Sequence, residues 1–365
     1  MRLNTITTYL ESLAPLAYQE SYDNSGLLVG HPDKEIHQAL ISLDCTEEVV
    51  DEAIRLGCDL VISHHPIIFS GLKRFNGSSY VERVVIKAIK HDIALYAIHT
   101  NLDNVAGGVN GKIAERLGLR QTHILQPKTD LLNKLVVFVP TQHAERVRQA
   151  LFGAGAGHIG NYDACSFNAE GYGTFRAGKG ANPFVGQPGE LHREAEVRIE
   201  VVYPSNRQQA VLKSLFETHP YEEVAYDNYR LQNVHPTVGS GLIGELETPL
   251  AEADFLALLK DRLQTSVIRH TALRNKPVGR VAVCGGAGGF LLRQAIRAGA
   301  DVFVTADYKY HEFFDAEGKT IIADVGHFES EQFTQQLLLE IIQKKFPTFA
   351  VRLTGIDTNP IKYYS

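Results

Sequence analysis

An internal repeat constrains the fold of this chain more than any other feature of its sequence. The segment AIRLGCDLVIS, which starts at Ala53, aligns with the segment AIRAGADVFVT, which starts 242 positions later at Ala295. Strand-like segments precede the two copies at 38–44 and 280–286. Each copy therefore predicts a strand, a loop, a helix, a glycine turn and a second strand, which is a βαβ unit. The glycine before the second strand suits a helix end in the left-handed conformation.

Two copies of this unit predict two related α/β halves. In open α/β sheets, ligands gather at the carboxyl ends of the strands. Polar residues follow the second strand of both copies: His64 and His65 in the first, and Asp307 with His311 close behind in the second. We therefore expect Asp307 and His311 to line a pocket there and to orient water or a ligand.

The region between the copies has a different character. It predicts strands at 135–139, 195–202 and 223–231, helices at 141–151 (opened by a threonine cap) and 206–217, and a glycine-rich stretch at 153–189. We interpret the order as β-α-β-β-α-β, which is typical of a ferredoxin-like module. The predicted domains are a first α/β half (1–127), this inserted α+β domain (128–235) and a second α/β half (236–365). The insert has no dense cluster of metal ligands in its sequence, so we expect a role in assembly or regulation.

Composition excludes several classes of protein. The 365 residues suggest two or three domains, and the formal charge of −6 offers no basic field for nucleic acid or anionic lipid. We find no run of the roughly 20 apolar residues that a membrane helix requires, and the first residues do not resemble a signal peptide. The four cysteines are scattered, which favours reduced thiols and a cytoplasmic location.

Histidines and carboxylates recur at predicted strand ends. His64 and His65 follow the apolar run 58–63, and Asp103 follows the short apolar strand 93–98. His327 and Glu331 come after the strand 320–324 and are four residues apart, so on a helix they share one face. Gly326 allows the tight turn from strand to helix.

These five residues predict a metal site, because an isolated histidine usually has a structural role in the core, but five potential ligands at strand ends in both halves are unusual. Three histidines and two carboxylates suit divalent Zn, Fe, Mn, Co or Ni. A carboxylate can bridge two ions held about 3.5 to 4 Å apart, as in hydrolytic enzymes with two metals.

The glycine-rich segments are less specific. The segment at 173–179 matches a P-loop, but Gly180 stands where Ser or Thr would hold magnesium. The segment 284–289 follows a strand and opens a helix, so its amides are suited either to cradling a phosphate or to a tight turn near the metal cleft.

Several motifs together resemble the NIF3-like dinuclear metal-centre family, whose members often carry the name GTP cyclohydrolase 1 type 2 homologue. The motifs are DNSGLLVG at 23–30, SHHP at 63–66, HTNLD at 99–103, the segment 307–311 and GHFESE at 326–331. The middle region resembles the insert of the longer bacterial members through GHIGNYD at 157–163 and HPYEE at 219–223.

The resemblance implies that His64, His65, Asp103, His327 and Glu331 bind two metal ions, with the aspartate and the glutamate as bridges. It also implies a toroidal homohexamer whose inserts cap the ring openings.

Two classes of function remain open. The first is a metal-dependent hydrolase that resembles GTP cyclohydrolase 1 type 2 and acts on a nucleotide-like substrate. In that reaction His99 is the expected proton shuttle, since it lies four residues before Asp103 and imidazole titrates near neutral pH. The alternative is a metal carrier, delivery factor or metal-responsive scaffold without turnover. The sequence does not decide between them.

Overall fold

The computed structural model describes residues 1–364. The strands are β1 (Gly26–Val29), β2 (Gln38–Ser42), β3 (Leu60–Ser63), β4 (Ala94–Ala97), β5 (Arg120–Pro127), β6 (Leu132–Pro140), β7 (Phe167–Arg176), β8 (Leu191–Pro204), β9 (Tyr226–Leu231), β10 (Gly239–Leu250), β11 (Arg269–His270), β12 (Val278–Val283), β13 (Val302–Thr305), β14 (Ile321–Asp324) and β15 (Ala350–Leu353). The α-helices are α1 (Leu3–Leu13), α2 (Glu47–Leu56), α3 (Tyr80–Lys90), α4 (Thr100–Asp103), α5 (Val109–Leu117), α6 (Ala144–Gly153), α7 (Gln208–Thr218), α8 (Glu252–Arg262), α9 (Leu292–Arg297), α10 (His327–Glu331) and α11 (Thr334–Lys345). Short 3-10 helices lie at Leu16–Tyr18, Thr141–His143, Ser205–Arg207, Gly289–Leu291 and Tyr310–Ala316.

The chain forms two compact units. The first unit comprises Met1–Pro127 and the chain from Thr237 onward, and the second unit is Lys128–Pro236. Among the helices of residues 1–364, none combines the length and the apolar character needed to cross a bilayer.

The first unit contains two mixed α/β sheets. One has the strand order β1-β4-β3-β2-β15, and the other has the order β11-β14-β13-β12-β10-β5. Strands β2, β3 and β4 are parallel neighbours in the first sheet, as are β12, β13 and β14 in the second. The carboxyl ends of parallel strands lie at the same edge of a sheet. In each sheet, the residues that follow its three parallel strands therefore lie close together at one edge.

Both predicted βαβ units are present. The first runs β2-α2-β3 and the second runs β12-α9-β13. The Thr46 side chain accepts a hydrogen bond from the amide of Val49 and so opens α2, and Gly57 closes the helix with φ +69°. Gly299 occupies the matching position after α9 with φ +74°. The predicted left-handed glycines are therefore confirmed in both copies.

The parallel strands β3, β4, β13 and β14 are buried on both faces, as parallel strands usually are. Leu60 and Ile62 of β3 join a core cluster with Val281 and Val304 of the second sheet. Val61, which points the other way, packs in a cluster with residues of α2 and α3. Burying each such side chain contributes roughly 1.5–3 kcal/mol, which fixes the strand ends that carry the site.

The second unit has one antiparallel sheet in the order β7-β8-β6-β9, and its elements follow one another as β-α-β-β-α-β. One face of the sheet packs on α6 and α7 through a core that includes Leu135, Ile199, Val147 and Leu215. Strand β7 lies inside the stretch 153–189, for which the sequence indicated only a glycine-rich character.

The predicted threonine cap was wrong. The α-helix begins at Ala144, after a 3-10 turn over Thr141–His143. The Thr141 hydroxyl donates its hydrogen bond to the carbonyl oxygen of Ala195, on the neighbouring strand β8. A contact across the sheet has therefore replaced the local cap.

Candidate metal centre

Four histidines and two carboxylates of the first unit converge where parallel strands end. His64 and His65 follow β3, His99 follows β4, and His327 begins α10 just after β14. Gly326, with φ +94°, makes the tight turn that the sequence predicted before His327. Neighbouring imidazole rings lie close together, with centroids 4.9 Å apart for His64 and His65 and 5.2 Å apart for His65 and His327.

The ligand atoms form three overlapping groups, and within each group all of them lie within 4.8 Å of one another. The groups are His64 with His65 and His99, His65 with His327 and Glu331, and His64 with Asp103 and Glu331. These clustered residues can bind metal ions. All five sequence-predicted ligands are thus brought together, and Glu331 belongs to two of the groups.

The predicted helical pair is confirmed in α10. Glu331 Oε2 lies 3.0 Å from His327 Nε2 and 3.0 Å from His65 Nε2. The two imidazole nitrogens are themselves 3.3 Å apart. Glu331 is 3% exposed. Burial alone would raise its pKa, but the hydrogen bonds from His327 and His65 hold the pKa well below its ordinary value.

Every histidine of the cluster is oriented by a hydrogen bond from its Nδ1. His65 donates to Asp44 Oδ1 at 2.7 Å, His327 to Asp307 Oδ2 at 2.7 Å, and His99 to Asp23 Oδ1 at 2.8 Å. His64 donates to the carbonyl oxygen of Ile98 at 2.8 Å. Metal-bound histidines almost always donate their second ring nitrogen in this way, which fixes the orientation of the ring and directs Nε2 into the cluster.

Two buried polar atoms have no hydrogen-bond partner among the described residues of this cluster. They are His64 Nε2 and Asp103 Oδ1, which lie 3.6 Å apart. Buried polar atoms are normally hydrogen-bonded, so each such atom requires an explanation. A divalent cation between them would satisfy both, since one offers a lone pair and the other a carboxylate oxygen. The residues present therefore fit a metal ion.

The electrostatics differ from one histidine to the next. His64 is completely buried, and burial lowers its pKa to about 3, so it stays neutral with its Nε2 lone pair available. Burial would also lower the pKa of His65, but hydrogen bonds to Asp44 and Glu331 raise it to about 9. Burial and the nearby Glu331 carboxylate raise the pKa of Asp103 well above its ordinary value. The negative charge of Glu331 thus favours the protonated form of both His65 and Asp103.

The sequence did not reveal three parts of this arrangement. Asp44 and Asp23 were not singled out as partners of His65 and His99, and His99 was not expected among the metal donors. Asp44 follows the end of β2, so the rule that ligands gather at the carboxyl ends of parallel strands would have identified it. Asp23 is a buried carboxylate that also accepts hydrogen bonds from Thr100 and Ser25, and these bonds hold its pKa well below its ordinary value despite burial.

The two predicted pocket residues, Asp307 and His311, have different positions relative to the cluster. Asp307, with φ +58°, bonds to His327 and so supports the cluster. His311 is exposed in a 3-10 turn, where its ring lies near those of Tyr310 and Phe314. Among the described residues, those that line the cavity over the cluster include neither Asp307 nor His311. The structure therefore does not bring His311 to the site.

A cavity of about 500 Å³ lies over the cluster. His65, His99, His327 and Glu331 are exposed to it, and its apolar walls include Tyr22, Phe69, Phe290 and Phe328. An apolar cavity with a few convergent polar groups is typical of a small-molecule site.

The glycine-rich segment after β12 serves packing. The amides of Gly285, Gly286 and Gly288 already donate to side chains, namely Asn110 Oδ1, Ser330 Oγ and Thr305 Oγ1. A Cβ atom at Gly286, where φ is +62°, would overlap the Glu331 carboxylate. Of the two alternatives for this segment, the structure supports the tight turn that allows close approach.

The sequence of this chain is similar to those of known proteins. A sequence model of the family Duf34/NIF3 (NGG1p interacting factor 3) matches residues 1–360. The chain is 41% identical over 364 residues to the GTP cyclohydrolase 1 type 2 homolog of Bacillus subtilis (strain 168), covering 98% of this chain and 97% of that protein. It is 40% identical over 367 residues to the homolog of the same name from Halalkalibacterium halodurans, with 98% of both chains covered.

Solved structures show the same similarity. A Bacillus cereus protein related to NIF3 superposes with a TM-score of 0.86 at 41% identity, covering 100% of this chain and 99% of that chain. Staphylococcus aureus protein SA1388 superposes with a TM-score of 0.79 at 30% identity, with the same coverage.

Proposed function

The chain belongs to the Duf34/NIF3 (NGG1p interacting factor 3) family, and on that basis we propose that it holds two divalent metal ions and uses them in hydrolysis. One observation supports the metal proposal above the others. All four clustered histidines donate Nδ1 to an oxygen acceptor, and His64 Nε2 and Asp103 Oδ1 are buried without a partner among the described residues. An ordinary core would not leave such a pair unsatisfied.

We assign the ligands from the three overlapping groups. His64, Asp103 and Glu331 would hold one ion, and His65, His327 and Glu331 would hold the other. Glu331 is common to both sets and is the proposed bridge, with Asp103 as the second bridging candidate. The mixture of imidazole and carboxylate ligands suits Zn, Fe, Mn, Co or Ni, without selecting one of them.

A divalent ion held by these residues would lower the pKa of water from 15.7 to about 7 and so supply hydroxide at neutral pH. We propose that His99 moves the proton, because it opens onto the cavity with 13% of its side chain exposed while Asp23 fixes its ring. His64, in contrast, is fully buried and is better suited to bind a metal ion than to exchange protons with solvent.

The proposed substrate is nucleotide-like. The aromatic walls Tyr22, Phe69 and Phe290 suit a flat ring, and two similar proteins carry the name GTP cyclohydrolase 1 type 2 homolog. In a cyclohydrolase reaction, water would add at C8 of the guanine ring and open its imidazole portion.

The test is turnover of GTP and other purine nucleotides by metal-stripped protein reloaded with each candidate ion, followed by absorbance and mass spectrometry. We expect ring opening with at least one ion and none with the stripped protein. Metal binding without turnover of any nucleotide would refute the hydrolase and favour the carrier or regulatory scaffold.

We also propose the domain arrangement and assembly that the family resemblance implies. Residues 128–235 would form a ferredoxin-like domain, supported by the element order and by the extent of the second unit, and 1–127 with 236–365 would form the metal-binding part. The proposed assembly is a toroidal homohexamer, which light scattering on the purified protein would test.

The free thiols Cys45, Cys58 and Cys284 are buried, which supports a reducing cytoplasmic location.

A further inference from the structure

A second cavity, of about 720 Å³, lies entirely within the second unit. Its floor is formed on β7 by Ala169, Gly171 and Gly173, where one methyl group and two glycines leave space above the sheet. Gly171 pairs with Glu196 of β8, so Glu196 stands on the same face. The core residues Val197 and Ile199 alternate with Glu196 and pack toward the helices, which places the cavity on the opposite face of the sheet.

The Glu196 carboxylate is the buried polar group of this cavity. Glu196 is 8% exposed, and its Oε1 accepts a hydrogen bond of 3.0 Å from the Tyr221 hydroxyl. Burial and this bond raise the pKa of Tyr221, so the hydroxyl remains a donor. A Cβ atom at Gly173 would overlap Glu196 Oε2. The carboxylate thus occupies the position that a side chain at 173 would take, and glycine there allows it to lie against β7.

Aromatic rings stand around this carboxylate. The Tyr221 ring centroid lies 6.1 Å from that of Phe175 and 6.3 Å from that of Phe184. The main-chain amide of Asn182, two residues before Phe184, donates to Glu222 Oε1 at 2.8 Å and so ties the segment that carries Phe184 to the opposite side of the cavity.

The charges of the lining favour a cation. The lining carries the carboxylates of Glu196, Glu222 and Glu223 and the guanidinium group of Arg198, whereas Glu170 pairs with Val197 and Arg176 with Leu191 on the other face of the sheet. Arg198 is bonded at 2.8 Å to Glu200, a residue outside the lining that also pairs with Lys134 at 2.7 Å. A carboxylate withdrawn from water needs a counter-charge, and the faces of aromatic rings attract cations.

We propose that this cavity binds a small organic cation, with its ammonium group at Glu196 and its apolar body against Phe175, Phe184 and Tyr221. A neutral ligand would leave the buried carboxylate without a counter-charge, and an anion would be repelled by that carboxylate. This site is separate from the metal centre and would give the second unit a ligand of its own.

Three probes that share a phenethyl group and differ in their head group test the proposal on the full chain: phenethylamine, 2-phenylethanol and 3-phenylpropionate, each titrated by NMR and calorimetry. We expect the ammonium probe to bind about tenfold or more tighter than the alcohol, and the carboxylate probe to be weakest. The substitution Glu196→Gln keeps the acceptor for Tyr221 but removes the charge, and should abolish the preference. Glu217→Gln is the matched control, because Glu217 is exposed on α7 and lies outside the lining.

A second variant fills the cavity without disturbing the carboxylate. A Cβ atom at Gly171 would meet no atom within 4 Å, so Gly171→Leu should fold and yet exclude all three probes. Equal binding of the three probes, retention of the preference by Glu196→Gln, or no binding to the wild-type chain would each overturn the proposal. If the wild type binds no probe and Gly171→Leu dissociates the protein into smaller species, this face is a contact between copies of the chain instead.

Discussion

The substitution Asp44→Asn tests how the metal cluster is held. Asp44 Oδ1 lies 2.7 Å from His65 Nδ1, and its other oxygen accepts from the Thr358 hydroxyl at 2.7 Å. Asparagine keeps the shape and one acceptor oxygen but loses the charge that strengthens the bond to His65. Removing such an orienting partner typically weakens metal binding 10- to 100-fold, or about 1.4 to 2.7 kcal/mol. Because the shape is kept, we expect a value near the lower end, about tenfold.

The assay is competition of metal-stripped protein with a fluorescent chelator, at fixed pH and with each candidate ion. Asp59→Asn is the matched control, since Asp59 lies just before β3, at the opposite end from His65, where it accepts from the amides of His37 and Gln38. Its metal affinity should equal that of the wild type. Unchanged affinity in Asp44→Asn, with the fold intact by circular dichroism, would refute the view that His65 is a metal ligand oriented by this carboxylate.

Three further predictions concern single residues. Gly286→Ala should displace the Glu331 carboxylate and lower the metal content sharply. Gly299→Ala has a similar positive φ but no atom closer than 3.9 Å to the new Cβ, so it should only cost about 1–2 kcal/mol of stability by denaturant titration. Equal metal content in the two variants would contradict the packing argument. His99→Ala should reduce the rate of any nucleotide hydrolysis far more than metal content, and an equal loss of both would make His99 a ligand. Burial lowers the pKa of His219 below its ordinary 6.5, so the unfolded chain takes up the proton first as the pH falls. The free energy of unfolding should therefore decrease from about pH 6.5 downward until the folded-state pKa is passed, and less steeply in His219→Gln; identical slopes would refute the assignment.

The sequence predicted the parts of the fold that local patterns determine. The βαβ repeat carries its own signals, namely apolar strands, a polar helix start and the glycines at 57 and 299, and both copies are present. Strand β7 could not be located in this way, because Gly171 and Gly173 have low strand propensity and the strand depends on its pairing with β8. The Thr141 cap failed for the same reason, since a hydrogen bond to a neighbouring strand outweighed a local one.

The candidate site was predictable to the extent that strand ends determine it. His64, His65 and Asp103 follow parallel strands of one sheet and meet Glu331 from the other, as the strand-end rule implies. The pairing of His99 with Asp23 joins residues 76 positions apart, and no periodicity in the sequence encodes such a contact. His311 was misplaced because the chain turns away after Asp307, which has a positive φ, and enters an exposed 3-10 turn.

The most direct test of the central proposal is metal content by inductively coupled plasma mass spectrometry. Untagged wild-type protein, stripped and then incubated with Zn, Mn or Fe, would be measured beside Glu331→Gln, which keeps the shape of the residue common to two donor groups. We expect about two equivalents per chain in the wild type, in line with two-metal hydrolytic sites, and a sharp fall in the variant. Wild-type protein that takes up none of these ions would contradict the proposal and leave the histidine cluster as a structural feature.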